Sequence, residues 1–168
     1  IAQKIPNLKV RPMLLSHIPD IVSDGHKITK ACQLYDLMIK AWFDREKGWV
    51  DKENLKEFSE RMAMDLFVNS KKRGMEKASC DEIAGLAEKW KIPLETWKLT
   101  GRSLLNRDAE GNYKFAHRSI MEYLYVRRFI SMPEDERPNL DIAWTDQMKA
   151  FLVEKMEDGS AGTNLAKV

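Results

Sequence analysis

The segment from Asn106 to Arg128, NRDAEGNYKFAHRSIMEYLYVRR, constrains the fold of this chain more than any other stretch. Its first half alternates apolar and polar residues on either side of the turn AEGN, which is the pattern of a β-hairpin. Its second half places Ile120 and Leu124 near one face of an amphipathic helix. His117 lies at the join, where the amino-terminal end of a helix favours anions. The segment therefore predicts a hairpin that leads directly into a helix, with a candidate phosphate contact between them.

The residues before this segment are typical of a series of helices. Apolar side chains recur at helical spacing from about Ile28 to Glu46, in two strips that predict a helix buried on two sides. A second helix begins near Leu55, with its apolar residues on one face. Ser79 and Glu82 have the spacing of a capping box, which predicts the start of a further helix. Pro93 has the position of a first-turn proline in another short helix, which Gly101 ends. The last three of these helices, followed by the hairpin, give the order helix, helix, helix, hairpin, which predicts a winged helix.

The expected fold is mainly α, with a small helical domain followed by a winged-helix domain that contains one β-hairpin. The small helical domain is expected at residues 1–48 and the winged-helix domain at residues 49–132. Residues 133–158 predict a C-terminal connector and a helix, the helix at about Ile142 to Met156. Residues 159–168 are small and polar, which predicts a tail or the start of a downstream sensor domain.

The composition narrows the classes of partner. With 28 Lys and Arg against 26 Asp and Glu, the formal net charge of +2 implies no strong non-specific attraction to nucleic acid or anionic membranes. No apolar run approaches the roughly 20 residues that span a bilayer. Cys32 and Cys80 lack CxxC spacing, so we expect a reducing, cytoplasmic setting. Ile1 in place of Met suggests a piece of a longer chain.

Sequence motifs for catalysis and metal binding are missing. The chain contains no G-x-x-x-x-G-K-[ST] loop to cradle phosphates, and no Ser/His/Asp or Cys/His set with a recognisable local motif. His17 and His26 have no acidic or sulfur ligands at metal-binding spacing. We therefore expect no catalytic residues and no metal ligands in this chain itself.

Several charged residues have more than one interpretation. The run Lys71-Lys72-Arg73 predicts a solvated loop. Arg118 predicts either a phosphate contact or an ordinary surface ion pair. Glu122 predicts either an internal partner for an arginine or a simply exposed carboxylate.

Three sequence blocks resemble a known family. The blocks RPMLLSHI, ITKACQLYDLMIKAWFDRE and, above all, LLNRDAEGNYKFAHRSIMEYLYVRRFI are similar to the C-terminal half of the NACHT module of bacterial STAND signalling NTPases. The resemblance covers roughly residues 8–132. It implies a small helical domain and a winged-helix domain that follow a nucleotide-binding core, which is missing from this sequence.

The resemblance also implies roles for two residues. Pro12 matches the family's proline that packs on the adenine ring, and His117 matches the winged-helix histidine that contacts the β-phosphate of ADP in the closed resting state. From the residues alone, Pro12 is equally compatible with a helix-start proline that binds no ligand. His117 is compatible with a partly buried histidine whose ring is satisfied by a neighbouring carbonyl.

The function implied by the resemblance is a switch. The full-length protein would be an ATPase that binds ADP or ATP with Mg²⁺, and this part would close over ADP against the core and swing open on exchange for ATP. Opening would permit homo-oligomerisation, and the family suggests signalling in innate antiviral defence of bacteria. This chain alone is not expected to hold nucleotide tightly, and no membrane partner is expected.

Two other classes of function remain open. A winged helix can read DNA with its third helix, here around PLETWKLTGRS, which offers Lys98 and Arg102 beside Glu95. Asp108 and Glu110 in the wing would lie near DNA phosphates, which argues against that class. The third class is a protein-interaction module that uses the exposed faces of the winged helix.

Overall fold

The computed structural model describes residues 28–138 and 144–165, with side chains described as far as residue 158. This part of the chain is mainly helical, with seven α-helices and one two-stranded antiparallel hairpin, as the sequence predicted. The elements are α1 (Ala31–Glu46), α2 (Lys52–Val68), α3 (Ser70–Arg73), α4 (Cys80–Lys89), α5 (Thr96–Arg102), β1 (Leu105–Arg107), β2 (Tyr113–Phe115), α6 (Arg118–Ser131), a 3₁₀ turn (Glu134–Glu136) and α7 (Asp146–Leu165).

Side-chain caps set the starts of α2 and α4. The Asp51 carboxylate accepts a hydrogen bond from the main-chain N–H of Asn54 at 2.8 Å. At α4 the Ser79 hydroxyl accepts from the N–H of Glu82 at 3.2 Å, and the Glu82 carboxylate accepts from the N–H of Ser79 at 2.8 Å. The predicted capping box is therefore confirmed, and it satisfies amides that the helix itself leaves unpaired.

The hairpin pairs β1 with β2 in antiparallel register, with Leu105 opposite Phe115 and Arg107 opposite Tyr113. A third segment joins it through an isolated bridge, in which Ala78 and Tyr113 exchange main-chain hydrogen bonds of 3.0 and 2.8 Å. The bridge lies just before α4. Apart from the four-residue helix α3, the order α2, bridge, α4, α5, hairpin, α6 is the order on which the winged-helix prediction rests.

The turn of the hairpin is held by Asp108. Its carboxylate accepts from the main-chain N–H groups of Glu110 and Asn112, each at 3.0 Å. Gly111 adopts a φ of +89°, a conformation that side chains with a Cβ rarely adopt. The predicted turn at AEGN is thus stabilised by the hydrogen bonds of an aspartate, and its left-handed position is occupied by a glycine.

Helix α6 is the centre of the fold. It packs against α2, α7, α1 and β2, and nine of its 14 residues are buried. The rings of Tyr35 on α1 and Tyr123 on α6 stack at 5.2 Å, and Phe151 on α7 meets both edge-on at 4.9 and 5.1 Å. The buried apolar residues form a continuous core from Ile28 to Phe151. This core crosses the expected boundary at residue 48, and the division into domains stays a prediction.

The ends of two helices differ from the sequence prediction. Helix α1 begins at Ala31 rather than near Ile28, because the Gln33 side chain accepts hydrogen bonds from the main-chain N–H groups before the first turn. Helix α7 begins at Asp146, where the Thr145 hydroxyl accepts from the N–H of Met148 at 3.1 Å. It continues to Leu165, so residues 159–165 are helical in the segment where a polar tail was expected.

The prediction of a solvated loop at Lys71-Lys72-Arg73 is wrong about the secondary structure and about the environment of Arg73. These residues lie in α3, and the guanidinium of Arg73 is held by Asp65 at 2.7 Å and Glu82 at 3.3 Å. The Arg73 side chain is only 17% exposed. Arg73 therefore joins α2 to α4, a role that depends on carboxylates eight and nine residues away and is not visible in the local sequence.

Candidate functional site

His117 lies at the join that the sequence predicted. It is the N-cap residue of α6, with φ −147° and ψ 139°, and it follows the end of β2 by two positions. The main-chain N–H of Ala116 donates to the carbonyl of Leu104 at 3.0 Å, so the hairpin holds this junction from the opposite strand. The hairpin and the helix thus fix the backbone of His117 from both sides.

The imidazole of His117 is exposed, and its partner is Ser119. Nδ1 accepts from the main-chain N–H of Ser119 at 3.2 Å and lies 2.6 Å from the Ser119 hydroxyl oxygen. The alternative interpretation, a partly buried histidine whose ring binds a carbonyl, is therefore wrong. Nε2 is the ring nitrogen left on the outer side of this contact.

The helix amides contribute less to this site than the sequence suggested. The N–H of Ser119 is used by His117 Nδ1, and the N–H of Ile120 donates to the His117 carbonyl at 3.0 Å. Two of the N-terminal amides of α6 are thus already paired within the chain. These two amides are therefore not available to a ligand, whereas the imidazole and the neighbouring cations line the adjacent cleft.

The imidazole lies at a surface cleft of about 630 Å³ between the hairpin and α6. The cleft is lined by three cations and one carboxylate beside His117, together with three smaller or apolar residues: Lys77, Lys114, Arg118, Glu76, Phe115, Ala116 and Met121. An excess of positive charge in a concave surface favours a bound anion.

The three cations of the cleft differ in how far they are neutralised. Arg118 pairs with Glu76 at 2.9 Å, and Lys77 pairs with two carboxylates of the wing, Asp108 at 2.6 Å and Glu110 at 3.2 Å. Hydrogen bonding to Asp108 raises the pKa of Lys77, so Lys77 stays charged, and its charge is balanced by the carboxylates of the wing. Lys114 forms no ion pair among the described residues, and its side chain is exposed. The uncompensated charge of the cleft is therefore that of Lys114.

These contacts decide the interpretation of Glu122, and they show Arg118 in an ion pair at the cleft. Arg118 makes a surface ion pair with Glu76, and its guanidinium also lies 3.9 Å from Glu122. Glu122 is buried, with 6% of its surface exposed. The internal interpretation of Glu122 is therefore correct, and Arg118 reaches the edge of the cleft with part of its charge already balanced.

A second polar cleft, of about 370 Å³, lies between α2, α6 and α7 and was missed by sequence reasoning. Arg127 pairs with the buried Glu60 at 3.2 Å, and Arg128 pairs with Glu57 at 2.8 Å. Burial raises the pKa of Glu60, and the nearby Arg127 opposes that shift. Each of the four cations that line this cleft, Lys56, Arg127, Arg128 and Lys155, is paired with a carboxylate, so the cleft offers an anion no unpaired cation. The local signal was the spacing of Glu57 and Glu60, one helical turn apart.

The other residues singled out from the sequence are not brought to the His117 cleft. Pro12, His17 and His26 lie outside the described residues. Within residues 28–138 and 144–158 no group of three His, Cys, Asp or Glu side chains is placed to hold a metal ion. Across the same part of the chain, no helix combines the length and the apolar character needed to cross a membrane. Cys32 and Cys80 are both free thiols.

In α5, the helix that would contact DNA in a winged helix, the two basic side chains are paired within the chain. Lys98 pairs with Glu95 at 2.9 Å, and Arg102 lies 3.4 Å from the buried Glu46. The guanidinium of Arg102 also covers the ring of Trp49 at 4.6 Å. The two basic side chains that would have to contact phosphates or bases are thus engaged within the chain, as are the wing carboxylates with Lys77.

Comparisons with known proteins do not assign the chain. No protein-family model matches it, and no curated protein or solved structure is significantly similar to it.

Proposed function

We propose that this chain is the regulatory part of a NACHT-type STAND signalling ATPase. In the proposal, the helical part and the winged helix close over ADP bound to a nucleotide-binding core of the same protein and hold the resting state. Exchange for ATP, with Mg²⁺ at the core, lets them swing away, and the opened protein oligomerises with copies of itself. The chain itself supplies contacts to nucleotide and no catalytic residue.

The observation that carries the proposal is the placement of His117. An exposed imidazole stands between a hairpin and the first turn of α6, at a cleft whose unpaired charge is the ammonium of Lys114. This is the chemistry that a diphosphate needs from a second domain: one directed donor and surplus positive charge. The resemblance of the surrounding sequence to NACHT modules supports the β-phosphate of ADP as that anion.

A closed state stabilised by ADP requires a difference in affinity. A ligand shifts a conformational equilibrium only by the extent to which it binds one state better than the other. One hydrogen bond from His117 to a charged phosphate oxygen supplies about 1.5 to 3 kcal/mol of that difference. Lys114 adds a smaller, salt-dependent contribution because it is exposed.

The test uses the full-length protein, in which the core and this chain are joined. His117→Asn removes the imidazole donor but keeps a residue that caps helices well, so α6 is expected to stay formed. ADP dissociation, followed with a fluorescent ADP analogue, is expected to accelerate by about tenfold or more. Basal signalling is expected to rise, because the resting state loses a contact that ADP makes only when the protein is closed.

The matched control is Ser79→Ala, which removes a helix cap on α4 outside the His117 cleft. It is expected to lower stability by about 1 kcal/mol and to leave ADP dissociation unchanged. Equal ADP dissociation in the wild type and His117→Asn would remove His117 from the mechanism, and with it the observation on which the proposal rests.

A protein-interaction module is the second candidate, and one observation favours it. Trp49 and Trp97 are 60% and 55% exposed, although large aromatic side chains are usually buried unless they serve at an interface. The discriminating variant is Trp49→Ser. If signalling is lost while ADP dissociation is unchanged, the Trp49 surface binds a partner independently of nucleotide.

A further inference from the structure

The side chain of His117 is the last member of a chain of hydrogen bonds that begins on a different helix. The hydroxyl of Tyr35, on α1, donates to the hydroxyl oxygen of Ser119 at 2.6 Å, and that oxygen lies 2.6 Å from His117 Nδ1. Tyr35 and Ser119 are buried, with 0% and 3% of their surfaces exposed, whereas His117 is exposed. This series of hydrogen bonds therefore runs from the core to the cleft.

The main-chain N–H and the hydroxyl of Ser119 together favour one ring nitrogen of His117 as the site of the hydrogen. The N–H of Ser119 points at Nδ1 from 3.2 Å, so a hydrogen on Nδ1 would meet the amide hydrogen head-on. Both contacts favour a lone pair on Nδ1, which places the hydrogen of the neutral ring on Nε2. The Ser119 hydroxyl then donates to Nδ1, and its oxygen is left to accept from Tyr35.

We propose that Ser119 and Tyr35 are positioning residues that hold His117 as its Nε2–H tautomer, with that N–H directed to the cleft as a donor for a phosphate oxygen. This inference rests on the proposed function for the identity of the ligand. The orientation itself rests only on the contacts of Ser119 and Tyr35. It also assigns the ligand atom a chemistry, since an Nε2–H group binds an acceptor oxygen and not a ligand hydrogen.

The hydrogen bonds from Tyr35 through Ser119 to His117 form a relay. This relay links the site to the packing of α1 against α6. The ring of Tyr35 packs against Tyr123 at 5.2 Å and Phe151 at 4.9 Å, so its hydroxyl oxygen cannot shift without moving the core. A displacement of α1 relative to α6 would break the bond from Tyr35 to Ser119 and free the serine hydroxyl to rotate. The donor at the cleft is therefore coupled to the arrangement of the two helices that the nucleotide switch is proposed to rearrange.

The first measurement is the tautomer of His117 in the chain itself, without nucleotide. Long-range ¹H–¹⁵N correlation spectra of the histidine-labelled chain at alkaline pH report which ring nitrogen is protonated, and His117→Asn assigns the signal. The wild type is expected to show the Nε2–H tautomer. Ser119→Ala is expected to lower its share, because the hydroxyl that donates to Nδ1 is gone.

The second measurement is ADP dissociation in the full-length protein. Ser119→Ala is expected to accelerate it roughly two- to tenfold, the effect of one hydrogen bond lost through misorientation. Tyr35→Phe, which removes only the hydroxyl, is expected to act in the same direction with a smaller effect. Tyr123→Phe is the matched control, since it removes a hydroxyl from the same aromatic cluster outside the relay, and it is expected to change neither measurement.

The outcomes separate this inference from the proposed function. An Nδ1–H tautomer in the wild type, or an unchanged tautomer in Ser119→Ala and Tyr35→Phe, overturns the positioning role even if His117→Asn releases ADP faster. If the tautomer responds as expected while His117→Asn leaves ADP dissociation unchanged, the orienting relay stands and the failure belongs to the proposed function.

Discussion

Basic residues lie at both ends of helix α6, but the two ends differ in whether carboxylates pair with them. At the amino-terminal end, His117 is exposed beside a cleft where Lys114 has no carboxylate partner among the described residues. At the carboxyl-terminal end, Arg127 and Arg128 are matched by Glu60 at 3.2 Å and other carboxylates of α1 and α2. The comparison teaches that basic residues create an anion site only where the fold leaves them unpaired.

The two ends also differ in what holds them. The second half of α6 is packed through Tyr125 and Phe129, whose rings meet Trp144 edge-on at 5.6 and 4.9 Å. The amino-terminal end is held by the hairpin, whose strands are three residues long, and by the hydrogen bonds of Ser119. Changes at the packed end should therefore affect folding, and changes at the cleft end should affect ligand binding.

The largest expected effect is at the packed end. Tyr125→Ala removes a ring that is 1% exposed and lies edge-on to Phe67 at 5.1 Å, so the free energy of unfolding is expected to fall by about 3 to 5 kcal/mol. Urea denaturation followed by circular dichroism measures this change. Lys114→Ala, at the cleft end, is the control and is expected to change stability by less than about 0.5 kcal/mol. Similar losses in both variants would show that the two ends are not distinct.

A smaller loss is expected from Arg127→Ala, which leaves the buried Glu60 without its cation. We expect about 2 kcal/mol, less than for a fully enclosed pair because the Arg127 side chain keeps 23% of its exposure. Urea denaturation at neutral pH measures the loss. In the double variant Arg127→Ala with Glu60→Gln the loss should be partly recovered, since no buried charge remains. A double variant as unstable as Arg127→Ala would show that the loss comes from packing alone.

The same variant has a defined pH dependence. Burial raises the pKa of Glu60 above its ordinary value of 4.5, so the folded protein binds the proton more tightly than the unfolded chain. The free energy of unfolding therefore falls as the pH rises from 4.5 through the raised pKa. Arg127 opposes this shift, so Arg127→Ala is expected to steepen the fall and to lose little stability at acidic pH. A loss that does not depend on pH would contradict a charged Glu60 as its cause.

The smallest expected effect is at the cleft end. It tests whether the charge of Lys114 distinguishes this end from the packed end. Lys114→Glu in the full-length protein is expected to accelerate ADP dissociation about fivefold, since an exposed charge near phosphate contributes on the order of 1 kcal/mol. The effect should shrink at high salt because the charge is exposed. Lys149→Glu, the same change on α7 outside the cleft, is the control. Equal effects of the two substitutions would assign the change to net charge and not to the cleft.

The elements closest to the proposed site were accessible from sequence because their signals are local. The hairpin, the capping box of Ser79 and Glu82, and the end of α1 at Glu46 depend on residues within a few positions of one another. His117 was placed at the helix start for the same reason. The extension of α7 to Leu165 was missed, because a run of small polar residues has weak helix propensity and no apolar periodicity.

The partners of the site residues were not accessible in this way. Tyr35 and Ser119 are 84 positions apart, and Glu57 and Arg128 are 71 positions apart. Each pair is formed by helices that meet only when the core is assembled. Nothing in the neighbouring residues distinguishes Arg127, which is neutralised, from Lys114, which is not.

The sequence by itself determined where the helices and the hairpin lie and that a histidine stands between them, because periodicity, caps and turn residues act over a few positions. Only the tertiary structure decided which charges are paired and which residues from other helices reach the site, as Tyr35 reaches Ser119 beside the imidazole. Those properties depend on distances between residues far apart in the chain, and such distances are set by the packing of α1, α2 and α7 around α6.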